Sequence, residues 1–135
     1  VAQQTVQAMA SAGIGAVGSR VTILGLTFKE DCPDLRNSRV PDIISELEKF
    51  GCNVQLHDPL CDPEEAQQEY GIALCNESDL QPAHAVVLAV APQSYLEWTL
   101  DQWTHVLLSD CVFMDIQGKM QTNQLQSEGY TIWRL

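Results

Sequence analysis

Apolar runs rich in β-branched residues recur at Val21–Phe28, Asn53–His57, Ile72–Cys75, Ala85–Val90, Cys111–Ile116 and Tyr130–Leu135, which predicts six strands. Between them the clearest helical pattern runs from about Ser38 to Phe50. There Val40, Ile43, Ile44, Leu47 and Phe50 recur at three- and four-residue spacing, so one stripe of that helix must face a sheet. Asn37 or Ser38 is placed to cap its free amides, Pro41 is tolerated in a first turn, and Gly51 can close the far end. Near-continuous apolar strands such as AVVLAV, alternating with helices, predict a doubly wound, mainly parallel six-stranded sheet with helices on both faces. Residues 1–19 read as an N-terminal helix, with Val6 and Met9 toward the core, followed by a glycine-rich connector packing on the domain. Residues 20–135 form the α/β domain itself. No internal repeat or low-complexity tract interrupts this pattern.

A chain of 135 residues with 45% hydrophobic content fits one domain with a real core. The formal charge of −11 argues against nucleic acid or an anionic membrane surface as a partner, because both need broad positive patches. No stretch reaches the roughly 18 apolar residues of a membrane span, and no basic residue precedes Arg20, unlike a secretory signal. Cys32, Cys52, Cys61, Cys75 and Cys111 are an odd set without the spacing of a disulfide framework, which fits a reducing, cytoplasmic setting. Because the sequence starts at Val1, a piece of something longer is expected.

Against this acidic background, GLTFKEDCPDLRNSR at 25–39 stands out. Three of the seven Lys and Arg residues, Lys29, Arg36 and Arg39, lie there, in a polar turn beyond the carboxyl end of a strand and beside a helix N-terminus. In an open α/β sheet that position favours an anionic ligand, with phosphate the obvious one. The alternative is self-neutralisation by Glu30, Asp31 and Asp34, and the placement argues for the ligand.

Other constellations carry less. Gly13, Gly15 and Gly18 spell a literal GxGxxG, yet it follows a helix and precedes a strand, the reverse of the dinucleotide fingerprint, so a plain connector is expected. Asp58, in His57-Asp58-Pro59, reads either as a ribose-binding carboxylate or, more simply, as a turn former before proline. Cys52, His57 and Cys61 lack the close pairs of a zinc site, so no metal is expected. Cys32 has acidic neighbours that oppose a thiolate, and His84 and His105 have no nucleophile beside them in sequence. Trp98, Trp103 and Trp133 are packing or interface residues, and a helix flanked by Trp98 and Trp103 could face a partner.

The stretch at 25–39 resembles the C-terminal domain of the UDP-glucose/GDP-mannose dehydrogenase family, whose pattern there is Gly-x-x-Phe-Lys followed by Asp-x-Arg-x-Ser. This sequence matches at Gly25, Phe28, Lys29, Asp34, Arg36 and Ser38. The following helix, the HDP turn and the final GYTIWRL extend the resemblance over essentially the whole chain. The form KEDCPDLRNSR is more similar to the bacterial UDP-N-acetylhexosamine (GlcNAc/GalNAc) 6-dehydrogenases than to the UDP-glucose enzymes.

The resemblance implies a Rossmann-like UDP-sugar-binding domain of an NAD-dependent enzyme that oxidises the sugar C6 hydroxyl to a carboxylate in two steps, through a covalent intermediate on a cysteine. It implies a role in capsule or O-antigen precursor synthesis. It also implies that Phe28 and Lys29 bind substrate, a UDP-N-acetylhexosamine, and that Arg36 reaches NAD held mainly by an N-terminal NAD-binding domain of the same homo-oligomeric enzyme. Neither the strand-GxGxxG-helix unit nor the glycine-rich loop with the catalytic cysteine occurs here, so no catalytic residue is assigned and the chain alone is expected to be inactive. Where the family carries Asp-x-Lys or Asp-x-Arg, this chain has Asp115-Ile116-Gln117, with Lys119 the nearest substitute. The rivals are a UDP-glucose 6-dehydrogenase domain, a non-catalytic interaction module built on the tryptophan-bearing surface, and an independent NAD-binding domain.

Overall fold

Local signals and tertiary packing agree over most of the chain. The computed structural model describes residues 1–26, 38–89, 93–116, 118 and 123–134. In chain order the elements are α1 (Ala2–Ser11), β1 (Arg20–Leu24), α2 (Val40–Lys49), β2 (Asn53–His57), α3 (Pro63–Tyr70), a 3₁₀ turn (Glu77–Asp79) and β3 (Ala83–Leu88). They continue with α4 (Gln93–Leu96), α5 (Leu100–Val106), β4 (Leu107–Asp115), α6 (Asn123–Ser127) and β5 (Thr131–Arg134).

The strands form one sheet in the order β2-β1-β3-β4-β5, and every neighbouring pair is parallel. Because successive side chains on a strand point to opposite faces, each central strand feeds two cores. Val21, Ile23, Ala85, Val87, Val112 and Met114 face Met9 of α1 and Val40, Ile44 and Leu47 of α2. Leu24, Val86, Leu88, Cys111 and Phe113 face Tyr95, Trp103 and Val106, with Leu125 from α6. This is the doubly wound, mainly parallel sheet expected from the strand pattern. Among the described residues no helix is long and apolar enough to cross a membrane.

Helix α2 shows how the sequence writes its own ends. Ser38 Oγ accepts the Val40 N–H at 3.2 Å, one residue ahead of the formal cap at Arg39, and Pro41 sits in the first turn, where its missing donor costs nothing. At the other end Cys52 N–H donates to Leu47 C=O and Gly51 N–H to Glu48 C=O, a Schellman closure that needs the positive φ of Gly51, +91°. Burying each of Val40, Ile44 and Leu47 contributes on the order of 1.5–3 kcal/mol. Ile43 is only half-buried, and Phe50, expected on the same stripe, lies at the C-cap and is exposed.

The run 72–75, expected as the sixth strand, forms no ladder among the described residues. It adds one backbone bond, Cys75 N–H to Leu56 C=O at 2.7 Å, beside edge strand β2. Gly71, with φ +66°, closes α3 immediately before it; Ile72 and Leu74 pack on the α2 face and Cys75 on the other, so the run keeps a strand's alternation without a ladder. Strand β4 starts earlier than its sequence pattern suggests, and the β3–β4 register shifts between Ala83 and Ala85.

The tryptophans divide. Trp103 is buried, tilted against Trp98 at 4.6 Å and edge-on to Phe113 at 5.2 Å, so it belongs to the core, while Trp98 is half-buried beside it. Trp133, on edge strand β5, is exposed.

Candidate functional site

The parallel register sets His57, Leu24, Leu88, Asp115 and Arg134 in one row across the sheet, at the carboxyl ends of β2, β1, β3, β4 and β5. In this strand order the chain leaves β1 toward one face and β3 toward the other. The crevice between them is the topological switch point where open α/β sheets bind ligands. The two described ends of the 25–39 connection, Gly25–Leu26 after β1 and Ser38–Arg39 before α2, lie at this carboxyl end.

Of the residues singled out in sequence, Phe28, Lys29, Asp34 and Arg36 lie outside the described residues, as do Cys32, Gln117 and Lys119. The two ends of the loop are described. Gly25, with φ +98°, donates its N–H to His57 C=O at 2.9 Å. Leu26 is buried, and its N–H donates to Asp58 Oδ2 at 2.6 Å, while its C=O accepts the Ser38 hydroxyl at 2.6 Å. Arg39 is exposed at the N-cap of α2, where among the described residues it has no ion-pair partner. The free amides and partial positive charge of this ten-residue helix point the same way as the cations.

Asp58 is 6% exposed, and its second oxygen, Oδ1, accepts the Leu60 N–H at 2.8 Å, as a turn former before proline should. The carboxylate is therefore engaged by backbone on both oxygens, which fits the turn-former reading. At the end of β4, buried Asp115 behaves similarly: Oδ1 accepts the Gly118 N–H at 3.0 Å, and Oδ2 lies 3.5 Å from Arg134 Nε.

Tyr95, which the sequence did not single out, completes the floor together with His57. Tyr95, fully buried on α4, donates its hydroxyl to His57 C=O at 2.9 Å and lies 2.7 Å from His57 Nδ1. A phenol has one proton and a carbonyl only accepts, so Nδ1 must be the donor to the Tyr95 oxygen, which fixes the Nδ1–H tautomer. Burial lowers the His57 pKa against the opposing pull of Glu77 and Asp58, and burial followed by the same two carboxylates raises that of Tyr95. Both groups are neutral near pH 7. Only the Asp-Pro turn at a strand end hinted at this cluster, because His57 and Tyr95 are 38 residues apart.

None of the described cysteines whose pKa moves has thiolate character. Burial raises Cys52, burial aided by Asp58, Glu65 and Asp62 pushes Cys61 up to about 12, and burial also pushes Cys111 up to about 12. Cys52 precedes β2 while His57 ends it, so the length of a strand separates them and they do not converge as metal ligands.

The GxGxxG at 13–18 sits at the opposite, amino end of the sheet. Gly13, Ile14, Gly18 and Ser19 donate their backbone N–H groups to Ala10, Met9, Gly51 and Ala16 carbonyls. With these four amides paired, and the connector lying after a helix and before a strand at the amino end, it does not have the placement of a dinucleotide pyrophosphate cradle.

The model of the UDP-glucose/GDP-mannose dehydrogenase family, UDP binding domain, matches residues 22–122. A UDP-N-acetyl-D-glucosamine 6-dehydrogenase of Salmonella typhi is 44% identical over 95 residues, 70% of this chain and 22% of that protein. Protein CapL of Staphylococcus aureus is 35% identical over 136 residues, covering 100% of this chain and 31% of CapL. The chain thus spans between about a fifth and a third of these relatives. In fold it is similar to the crystal structure of an NDP-N-acetyl-D-galactosaminuronic acid dehydrogenase from Methanosarcina mazei Go1, with a TM-score of 0.82 and 22% identity over 98% of this chain and 27% of that one. A family model that covers most of the chain, over a sheet with this crevice and loop, shows that the chain belongs to the UDP-glucose/GDP-mannose dehydrogenase family as its UDP binding domain.

Proposed function

We propose that this chain is the C-terminal nucleotide-sugar-binding domain of an NAD-dependent UDP-N-acetylhexosamine 6-dehydrogenase, which converts the C6 alcohol to a uronic acid for capsule or O-antigen polysaccharide precursors. The observation that carries the reading is the coincidence of the family match with a Phe-Lys and Arg-bearing loop at the switch point of the sheet. Residues 1–19 are the helix and connector leading into the domain, and 20–135 are the domain itself.

In this reading Lys29 acts as a point charge on the UDP diphosphate and Phe28 packs on the nucleotide sugar. Arg36 presents its fork to NAD from across the crevice. The paired amides of the GxGxxG connector leave the pyrophosphate cradle to an N-terminal domain of the same protein. Raised thiol pKa values at Cys52, Cys61 and Cys111 likewise favour a nucleophilic cysteine elsewhere in it. The chain by itself therefore binds but does not turn over substrate, and the whole enzyme is a cytoplasmic homo-oligomer.

The test is NADH production by the full-length enzyme with UDP-GlcNAc, UDP-GalNAc and UDP-glucose. Faster turnover of an N-acetylhexosamine substrate is expected. Preference for UDP-glucose would shift the reading to a UDP-glucose 6-dehydrogenase, and no NADH with any of the three would overturn it.

A further inference from the structure

His57 and Asp58 stand at the end of an edge strand, yet between them they hold residues of three different connections. His57 C=O accepts from Gly25, just past β1, and from the hydroxyl of Tyr95, on the helix α4 that follows β3. Asp58 accepts from Leu26, also past β1, and from Leu60, past β2. Leu26 passes the connection on, because its C=O accepts from Ser38, whose oxygen in turn accepts the first N–H of α2.

We infer that the His57–Asp58 dipeptide, with Leu26, Ser38 and Tyr95, is a positioning hub that ties both walls of the crevice to one point and fixes where the nucleotide-sugar loop begins and ends. The substrate named in this inference rests on the proposed function. The hub does not.

Three features favour a positioning role over ordinary turn chemistry. An Asp-Pro turn needs one carboxylate oxygen for its own residue two positions on, and here that is Oδ1 to Leu60. The other oxygen reaches 32 residues back in sequence, to the N–H of Leu26, a buried donor at the start of the connection. Ser38 closes the same stretch onto the same residue through the Leu26 C=O, so the connection is tied at both stems. From Leu26 to Lys29 the chain can extend at most about 11 Å, so an error at the clip is carried directly to the cation. Displacements of about 1 Å in a binding group can cost up to about a hundredfold.

The experiment uses the full-length enzyme with Ser38→Ala, Ser38→Thr, Asp58→Asn and Tyr95→Phe. Ser38→Ala removes the second stem without touching the core. Asp58→Asn leaves one of the two backbone N–H groups facing an amide N–H₂. Expected for both is a rise of about tenfold in KM for the nucleotide sugar with kcat changed less than about twofold; Ser38→Ala, whose stem lies two residues from Arg36, raises the KM for NAD as well, and Ser38→Thr restores the wild-type values. Tyr95→Phe, which loosens only the β3 side, gives a smaller rise.

Hydrogen exchange without ligand reads the hub independently of activity: peptides spanning 24–40 exchange faster in Ser38→Ala and Asp58→Asn, and peptides of β4 do not. Should the wild type oxidise no UDP-sugar, the proposed function fails and exchange alone decides the hub. Unchanged KM and unchanged exchange in folded Ser38→Ala and Asp58→Asn variants would overturn it.

Discussion

The two ends of the parallel sheet do different things with the same kind of group. At the amino end the connector closes on near neighbours: the amides of Gly13, Ile14, Gly18 and Ser19 donate to nearby carbonyls, the Ser19 hydroxyl donates to Gly15 C=O, and Arg20 ties to His84 Nδ1 and Pro82 C=O. At the carboxyl end buried side chains join backbone bonds such as Gly25 N–H to His57 C=O: Asp58, Asp115, Ser38 and Tyr95 reach amides and carbonyls of the strand exits. The first pattern makes a seam, and the second surrounds the crevice at the switch point. A literal phosphate motif therefore lies at the end of the sheet away from the crevice where open α/β sheets bind ligands.

The largest contrast should come from one substitution at each end. Lys29→Ala in the full-length enzyme is expected to weaken UDP binding by ten- to a hundredfold, the loss of about 1.5–3 kcal/mol from one charge-assisted contact. Gly15→Ala should leave both UDP and NAD binding unchanged, because a Cβ at Gly15 meets nothing within 4 Å and the connector lies at the end of the sheet away from the crevice. Calorimetry with UDP and NAD measures both, and NAD binding lost in Gly15→Ala would break the assignment of the connector to structure.

Stability should respond in the opposite sense. A Cβ on Gly51 would lie 3.1 Å from Val17 Cγ2 and 3.2 Å from Val17 Cα, at a φ of +91° that side chains rarely adopt. Gly51→Ala should cost about 1–3 kcal/mol, seen as a lower urea midpoint, without changing ligand affinity in the protein that remains folded. If affinity fell with stability, the two ends would be coupled more tightly than the hydrogen-bond pattern implies.

The sequence read the seam end better than the crevice end, for a physical reason. Helix stripes, the Gly51 closure and the Asp58 turn are written within a few neighbouring residues, and β1, β2, α2 and the doubly wound plan appear where periodicity placed them. Ile72–Cys75 misled because a short apolar run reads the same whether it pairs in a sheet or merely packs beside one. Trp103 and Trp98 looked like a surface because nothing local says which way an aromatic points. The His57–Tyr95 tie and the Leu26–Asp58 bond join positions 38 and 32 residues apart, and no local pattern encodes such a meeting. Phe28, Lys29 and Arg36 were legible only through the family pattern, and their stretch lies outside the described residues.

The smallest effect tests whether the crevice floor is as closed as its hydrogen bonds imply. Burial, the leading influence on His57, lowers its pKa from the usual 6.5, so between that value and its lowered folded value the unfolded chain binds a proton that the folded one does not. The stability this difference contributes is present above 6.5 and is lost as pH falls through the folded value. One proton limits the slope to at most about 1.4 kcal/mol per pH unit. His57→Asn can still donate from the side-chain position that Nδ1 occupies, toward the Tyr95 oxygen, but cannot titrate. Urea midpoints measured from pH 7.5 to 5 should therefore fall less steeply in this variant than in the wild type. Parallel pH profiles would mean that water reaches the His57 ring in the folded protein, and that the carboxyl end is held by something other than a dry, neutral Tyr95–His57 pair.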